Sequence, residues 1–88
     1  MLDRVGRSPR ERVVALIDGL LPPGAPRPAP ADERPLAAFG LTSFDVVNLM
    51  LAVEGEFDVT IPQPEIVPEN FRTLGAIELL LAKLGAAG

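Results

Sequence analysis

Proline decides more about this chain than any other residue type. Ten are present, and six of them (Pro22, Pro23, Pro26, Pro28, Pro30 and Pro35) crowd into residues 22–35. Each lacks the amide proton that helices and inner strands use, and its ring fixes φ. A helix or a central strand is therefore excluded there, and the spacing predicts a long loop. Loops of this length without structure of their own are uncommon in compact domains, so the elements on either side must accommodate it. A second group, Pro62, Pro64 and Pro68, leaves room only for a short helix around Glu65 to Phe71.

The windows between the prolines carry helix signals. Ser8-Pro9-Arg10-Glu11 combines a serine cap, a proline at the first helical position and a glutamate three residues after the cap. Val13, Val14, Leu16, Ile17, Leu20 and Leu21 continue it as an apolar face until Pro22-Pro23-Gly24, and residues 1–7 are expected to fray. Leu36, Phe39 and Leu41 are expected to anchor the end of the loop. A second helix is predicted from Ser43 to Phe57, buried through Val47, Met50, Leu51 or Val53, and Phe57. Val59-Thr60-Ile61-Pro62 reads as a brief extended stretch. Thr73 caps a last helix in which Leu74, Ile77, Leu80, Leu81 and Leu84 recur at helical spacing before Gly85. The fold class is all-α, a small four-helix bundle, with residues 1–88 forming one domain.

Composition removes several chemistries. With no cysteine and no histidine, disulfides, the usual zinc ligand sets and a Ser-His-Asp triad are excluded. The longest apolar run, Leu79 to Ala82, is too short for a bilayer, and Arg7, Arg10 and Arg12 interrupt any signal-like segment. The expectation is a cytoplasmic monomer with neither nucleic acid nor membrane among its partners. Net charge is −4, and Asp45, Glu54, Glu56, Asp58, Glu65 and Glu69 lie in an interval without Lys or Arg. Such a block repels phosphates and attracts basic protein surfaces, although a solvated helix face also explains it.

The candidate site is Gly40-Leu41-Thr42-Ser43-Phe44-Asp45. Either hydroxyl residue can cap the second helix. If Thr42 does, Asp45 completes a variant of the capping box and Ser43 becomes the first helical residue with its hydroxyl unengaged. Amides and dipole at a helix N-terminus favour an anion, and a phosphodiester on Ser43 suits that position. No base is placed to activate this serine, since Asp45 lies two residues along a helix and points elsewhere. Ser43 is therefore a poor nucleophile by itself, an ordinary helix cap being the plain reading of a Thr-Ser pair, and neither catalytic residues nor metal ligands are expected.

This region resembles the attachment region of acyl and peptidyl carrier proteins. The resemblance rests on Leu36, on Gly40-Leu41-Thr42-Ser43-Phe44, on Glu54, Phe57, Ile61 and Pro62 without a gap, and on Phe71-Arg72-Thr73-Leu74-Gly75-Ala76-Ile77. It implies the acyl carrier protein bundle, with a long first loop and a short third helix. It also implies 4'-phosphopantetheine, taken from coenzyme A by a phosphopantetheinyl transferase and attached covalently to Ser43. A freestanding carrier of this kind catalyses nothing and holds acyl or aminoacyl groups as thioesters. Its partners are an acyl or amino acid:carrier protein ligase and downstream acyl-transfer enzymes, which Thr42, Phe44, Asp45, Asn48, Leu51 and Glu54 would face.

The departures point to a specialised pathway. Thr42 stands where the family usually has aspartate, and Asn48 and Gly55 occupy positions often acidic in fatty-acid carriers. The segment from Gly40 to Ala52 also resembles carriers loaded by stand-alone amino acid:carrier protein ligases; a generic specialised acyl carrier is ranked just ahead of that branch. Leu49, Val53, Ile61 and Ile66 line either an acyl-chain cavity or a filled core. The competing reading is an unmodified interaction module with an acidic second helix.

Overall fold

The computed structural model describes residues 8–85; the expectation for residues 1–7 lies outside that range. Three α-helices form, α1 (Pro9–Asp18), α2 (Ser43–Phe57) and α3 (Leu74–Lys83), with 3-10 turns at Leu36–Phe39, Gln63–Glu65 and Pro68–Phe71. The described residues contain no strand, so the chain is an all-α small bundle.

The start of α1 follows its sequence signals. The Ser8 hydroxyl accepts from the Glu11 amide at 3.1 Å, and the Glu11 carboxylate accepts from the Ser8 amide at 2.9 Å. The helix ends at Asp18, short of the expected Leu21. Pro22 accounts for this, because a proline ring clashes with the carbonyl four residues earlier, here that of Asp18. Released from the helix, that carbonyl accepts from Arg27 Nη1 at 3.2 Å. Leu21 remains buried even so.

Val13 and Ile17 of α1, Leu49, Val53 and Phe57 of α2, and Leu74, Ile77, Leu80 and Leu81 of α3 meet in one core, closed by Leu36, Phe39, Leu41, Ile61 and Phe71. Burying each such side chain contributes about 1.5–3 kcal/mol. The stripe of α2 differs from the expected one: Val53 and Phe57 are buried, Met50 is half-buried, and Val47 and Leu51 face outward. Apolar residues lie nearly all round the first part of this helix, so periodicity alone does not choose its buried face.

The short third helix is two 3-10 turns. Val67, preceding Pro68, is extended at φ −131° and ψ 149°, the conformation that a following proline imposes. A continuous helix from Glu65 to Phe71 is broken at that point.

The proline-rich loop contains no helix or strand and is strapped down by arginines. Arg10 donates through Nη1 to the Pro30 carbonyl and to Glu33, both at 3.0 Å, and through Nε to Glu78 of α3 at 3.0 Å. Arg34 forks onto Asp32 at 3.0 and 2.9 Å and lies over the Phe39 ring. At the loop's end the Leu36 amide donates to the Arg72 carbonyl at 2.8 Å. On the other side of α1, Arg12 pairs with Glu56 at 2.8 Å and covers the Phe57 ring, 4.3 Å from its centroid. Gly40, at φ 95°, makes the left-handed turn that delivers the chain to α2.

Candidate functional site

The turn at Gly40 brings Leu41 into the core and places Thr42 as the cap of α2. The Thr42 hydroxyl accepts from the Asp45 amide at 3.1 Å, and the Asp45 carboxylate accepts from the Thr42 amide at 2.9 Å. The helical ladder begins with the Val46 amide donating to the Thr42 carbonyl at 3.0 Å. Ser43 is thus the first helical residue, and it is exposed. Among the described residues its hydroxyl makes no hydrogen bond, and the Ser43 and Phe44 amides find no acceptor. These unused donors and the helix dipole give the surroundings of the hydroxyl a positive bias.

Ser43 and Thr42 stand at the rim of a cleft of about 580 Å³ between α2 and the 66–72 segment. Its walls are mainly apolar, with Val46, Val47 and Met50 on one side, Ile66, Val67 and Phe71 on the other, and Leu36 and Leu41 toward the loop; Arg72 also lines it. A smaller hollow shares Val47, Met50 and Ile66 and runs on along α2 to Leu51, Glu54 and Ile61. Leu49, Val53 and Ile61 are otherwise packed into the core, whereas Ile66 is 47% exposed. Of the two alternatives for these four residues, a filled core holds for the first three.

The six residues expected to face partners separate into two kinds. Phe44 and Leu51 are exposed at 73% and 62%, and with half-exposed Val47 they lie at spacings of three and four on one helix face. Asn48, half-buried, adjoins them in sequence. Thr42, Asp45 and Glu54 have structural tasks: the first two form the cap, and the Glu54 carboxylate accepts from the Ile61 amide at 2.8 Å. Glu56 is held by Arg12, and Glu65 by Lys83 at 3.1 Å and by Asn70. Much of the acidic block is therefore committed within the molecule, and the face beside Ser43 is largely apolar.

Sequence reasoning did not identify Val46, Val67, Phe71 or Arg72 as cleft residues. Arg72 had one available signal, as the first cation after the acidic interval. Among the described residues no group of three or more acidic, histidine or cysteine side chains forms a metal site, and no helix is long and apolar enough to cross a membrane.

An exposed, unbonded serine at a positively biased helix start, beside a cleft of small-molecule size, fits a serine-linked phosphodiester with an elongated arm. The family model for the phosphopantetheine attachment site matches residues 12–81. Aminoacyl carrier protein 1 of Bradyrhizobium diazoefficiens is 46% identical over 72 residues, covering 82% of this chain and 80% of the relative. Aminoacyl carrier protein 2 of the same organism is 41% identical, covering 88% of each. Two crystal structures of the Bradyrhizobium japonicum glycine:carrier protein ligase also match. One is complexed with glycylated carrier protein (TM-score 0.64, 46% identity, 81% of this chain and 96% of that chain). The other holds the cognate carrier protein and an analogue of glycyl adenylate (TM-score 0.67, 44% identity, 84% and 96%).

Proposed function

The chain belongs to the phosphopantetheine attachment-site family, and from that premise we propose that it is an aminoacyl carrier protein whose prosthetic group is borne by Ser43. The observation that carries the assignment is the division of labour at the start of α2. Thr42 does the capping, so the Ser43 hydroxyl is left uncommitted and exposed.

Each residue of the site has a part. Ser43 offers Oγ to a phosphopantetheinyl transferase; its bond to the pantetheine-side phosphorus of coenzyme A forms as the diphosphate bond breaks, and adenosine 3',5'-bisphosphate leaves. The transferase must supply the base, because the chain has no histidine and Asp45 is held in the cap. This accords with the generally non-catalytic nature of carriers. The prosthetic group supplies the thiol on which cargo is held as a thioester and presented at high effective concentration to successive enzymes. Phe44, Val47 and Leu51 form the surface on which a ligase would dock, by apolar contact more than by charge. Relatives named aminoacyl carriers, and solved relatives complexed with a glycine ligase, support a small amino acid as cargo and move the aminoacyl branch ahead of a generic acyl carrier. A cytoplasmic location accords with a supply of coenzyme A and adenylated amino acids.

The test is intact mass after incubation with coenzyme A, magnesium and a broad-specificity phosphopantetheinyl transferase. A phosphopantetheine-sized gain is expected for the native chain and none for Ser43→Ala; subsequent incubation with glycine, ATP and an amino acid:carrier protein ligase should add a glycyl mass. A chain that stays at its original mass with several transferases is not a carrier through Ser43.

A further inference from the structure

Building on the assignment of Ser43, we propose that Arg72 is a positioning residue for the prosthetic group, pairing with its phosphodiester and laying the arm along the cleft between α2 and the 66–72 segment. The inference begins from how this protein uses its cations. Among the described residues Arg10 meets Glu33 and Glu78, Arg12 meets Glu56, Arg27 meets Asp18, Arg34 meets Asp32 and Lys83 meets Glu65, each within 4.0 Å. Arg72 alone has no carboxylate partner among them. A shortage of acids does not explain this, since the chain carries 12 acidic residues against 8 basic ones.

The backbone at Arg72 is fixed from three sides. Its carbonyl accepts from the Leu36 amide at 2.8 Å, the preceding Phe71 is buried, and the following Thr73 caps α3 by accepting from the Ala76 amide at 3.1 Å. With its backbone held, Arg72 lines the same cleft as Ser43. Most of the other lining is apolar, so the cleft offers this guanidinium little competing anionic partner.

A phosphodiester on Ser43 carries one negative charge at the rim of that cleft. Guanidinium is well suited to it: planar, permanently charged and able to donate two parallel hydrogen bonds. Ser43 and Arg72 are both exposed, so solvent screens the attraction and the pair is a modest one that orients the arm. The rest of the arm, uncharged and of mixed polarity, then rests against Met50 and Val67 instead of sweeping freely through solvent. The volume of about 580 Å³ falls within the range of small-molecule sites.

The experiment compares apo and holo protein labelled with 15N, conversion being verified first by intact mass. On conversion the Arg72 Nε–H resonance should shift while those of Arg10 and Arg12 stay in place. Cross-relaxation between the pantetheine geminal methyls and the Met50 and Val67 methyls should appear, be lost in Arg72→Gln and return in part in Arg72→Lys. Neither variant removes a carboxylate pair or the backbone bond to Leu36, so both should fold. Complete mass gain with an unmoved Arg72 signal and an unchanged arm spectrum in Arg72→Gln would overturn the proposal and leave the carrier assignment standing. An Arg72 shift that arises only when a ligase is added would assign the residue to a protein partner and overturn it too. No mass gain at all would remove the Ser43 assignment, and the proposal with it.

Discussion

Across the first turn of α2 the Thr42 hydroxyl accepts from the Asp45 amide at 3.1 Å and the Asp45 carboxylate accepts from the Thr42 amide at 2.9 Å, with Ser43 between them and bonded to neither. Thr42→Ala should therefore cost about 1 kcal/mol of stability, read by urea denaturation, while still reaching complete modification by intact mass. Thr42→Asp keeps a capping side chain and adds a charge, so it should keep stability and speed modification by a transferase with a basic docking surface. Unchanged or slower kinetics for Thr42→Asp would show that charge at this position does not steer the transferase.

Docking on the apolar face of α2 is tested at Leu51 and Phe44, both largely exposed. Leu51→Ala and Phe44→Ala should each alter stability by less than about 0.5 kcal/mol, as surface changes do. Loss of a central apolar contact, worth about 1.4 kcal/mol, should lower ligase kcat/KM roughly tenfold. The loss should persist between low and high salt; a defect seen only at low salt would return recognition to charge.

Arg10 joins α1 to the proline-rich loop and to α3. Its side chain is 20% exposed, but Glu33 and Glu78 are 68% and 42% exposed, so solvent screens the network and Arg10→Gln should cost about 1 kcal/mol. The specific mark is local: hydrogen exchange should rise from Asp32 to Leu36 more than in α2. Uniform loosening of the whole molecule would show that Arg10 does not hold the loop in particular.

Asp32 supplies a pH signature. The Arg34 guanidinium holds its carboxyl down to about 2, below the ordinary carboxylate near 3.9. A depressed folded-state pKa stabilises above the unfolded value and ceases to do so as pH falls through the folded one. The stability difference between the native chain and Asp32→Asn should thus be level from pH 7 to about pH 4 and should shrink toward about pH 2. Denaturation midpoints measured across that range would detect it, and a difference independent of pH would argue that the fork with Arg34 does not persist in solution.

Local rules made parts of this molecule legible in advance. Ser8-Pro9-Arg10-Glu11 specifies its cap within four residues and forms as read, while Thr42-Ser43-Phe44-Asp45 left two candidate caps, of which Thr42 is the one used. Leu36, Phe39 and Leu41 were readable as anchors because a proline-rich loop offers few other apolar side chains. Periodicity did not reveal the exposed face of α2, since Val46, Val47, Leu49, Met50 and Leu51 are all apolar and only contacts with the other helices distinguish them; the outward placing of Phe44 and Leu51 came from the resemblance alone. Nor were the tasks of Glu54 and Glu56, because their partners, Ile61 and Arg12, are reached only through the tertiary fold. Arg72 belongs to the same class: its place in the cleft that Ser43 also lines depends on how the 66–72 segment packs.

Relief of Ser43 from capping has a chemical corollary in a chain without cysteine. Ser43→Cys would leave the Thr42–Asp45 cap intact and create the molecule's single thiol at a helix N-terminus, where the dipole lowers thiol pKa and favours the reactive thiolate. One haloacetamide-bearing pantetheine analogue would then alkylate one position. The product would be a carrier made without any transferase, its arm held by a thioether in place of the phosphodiester.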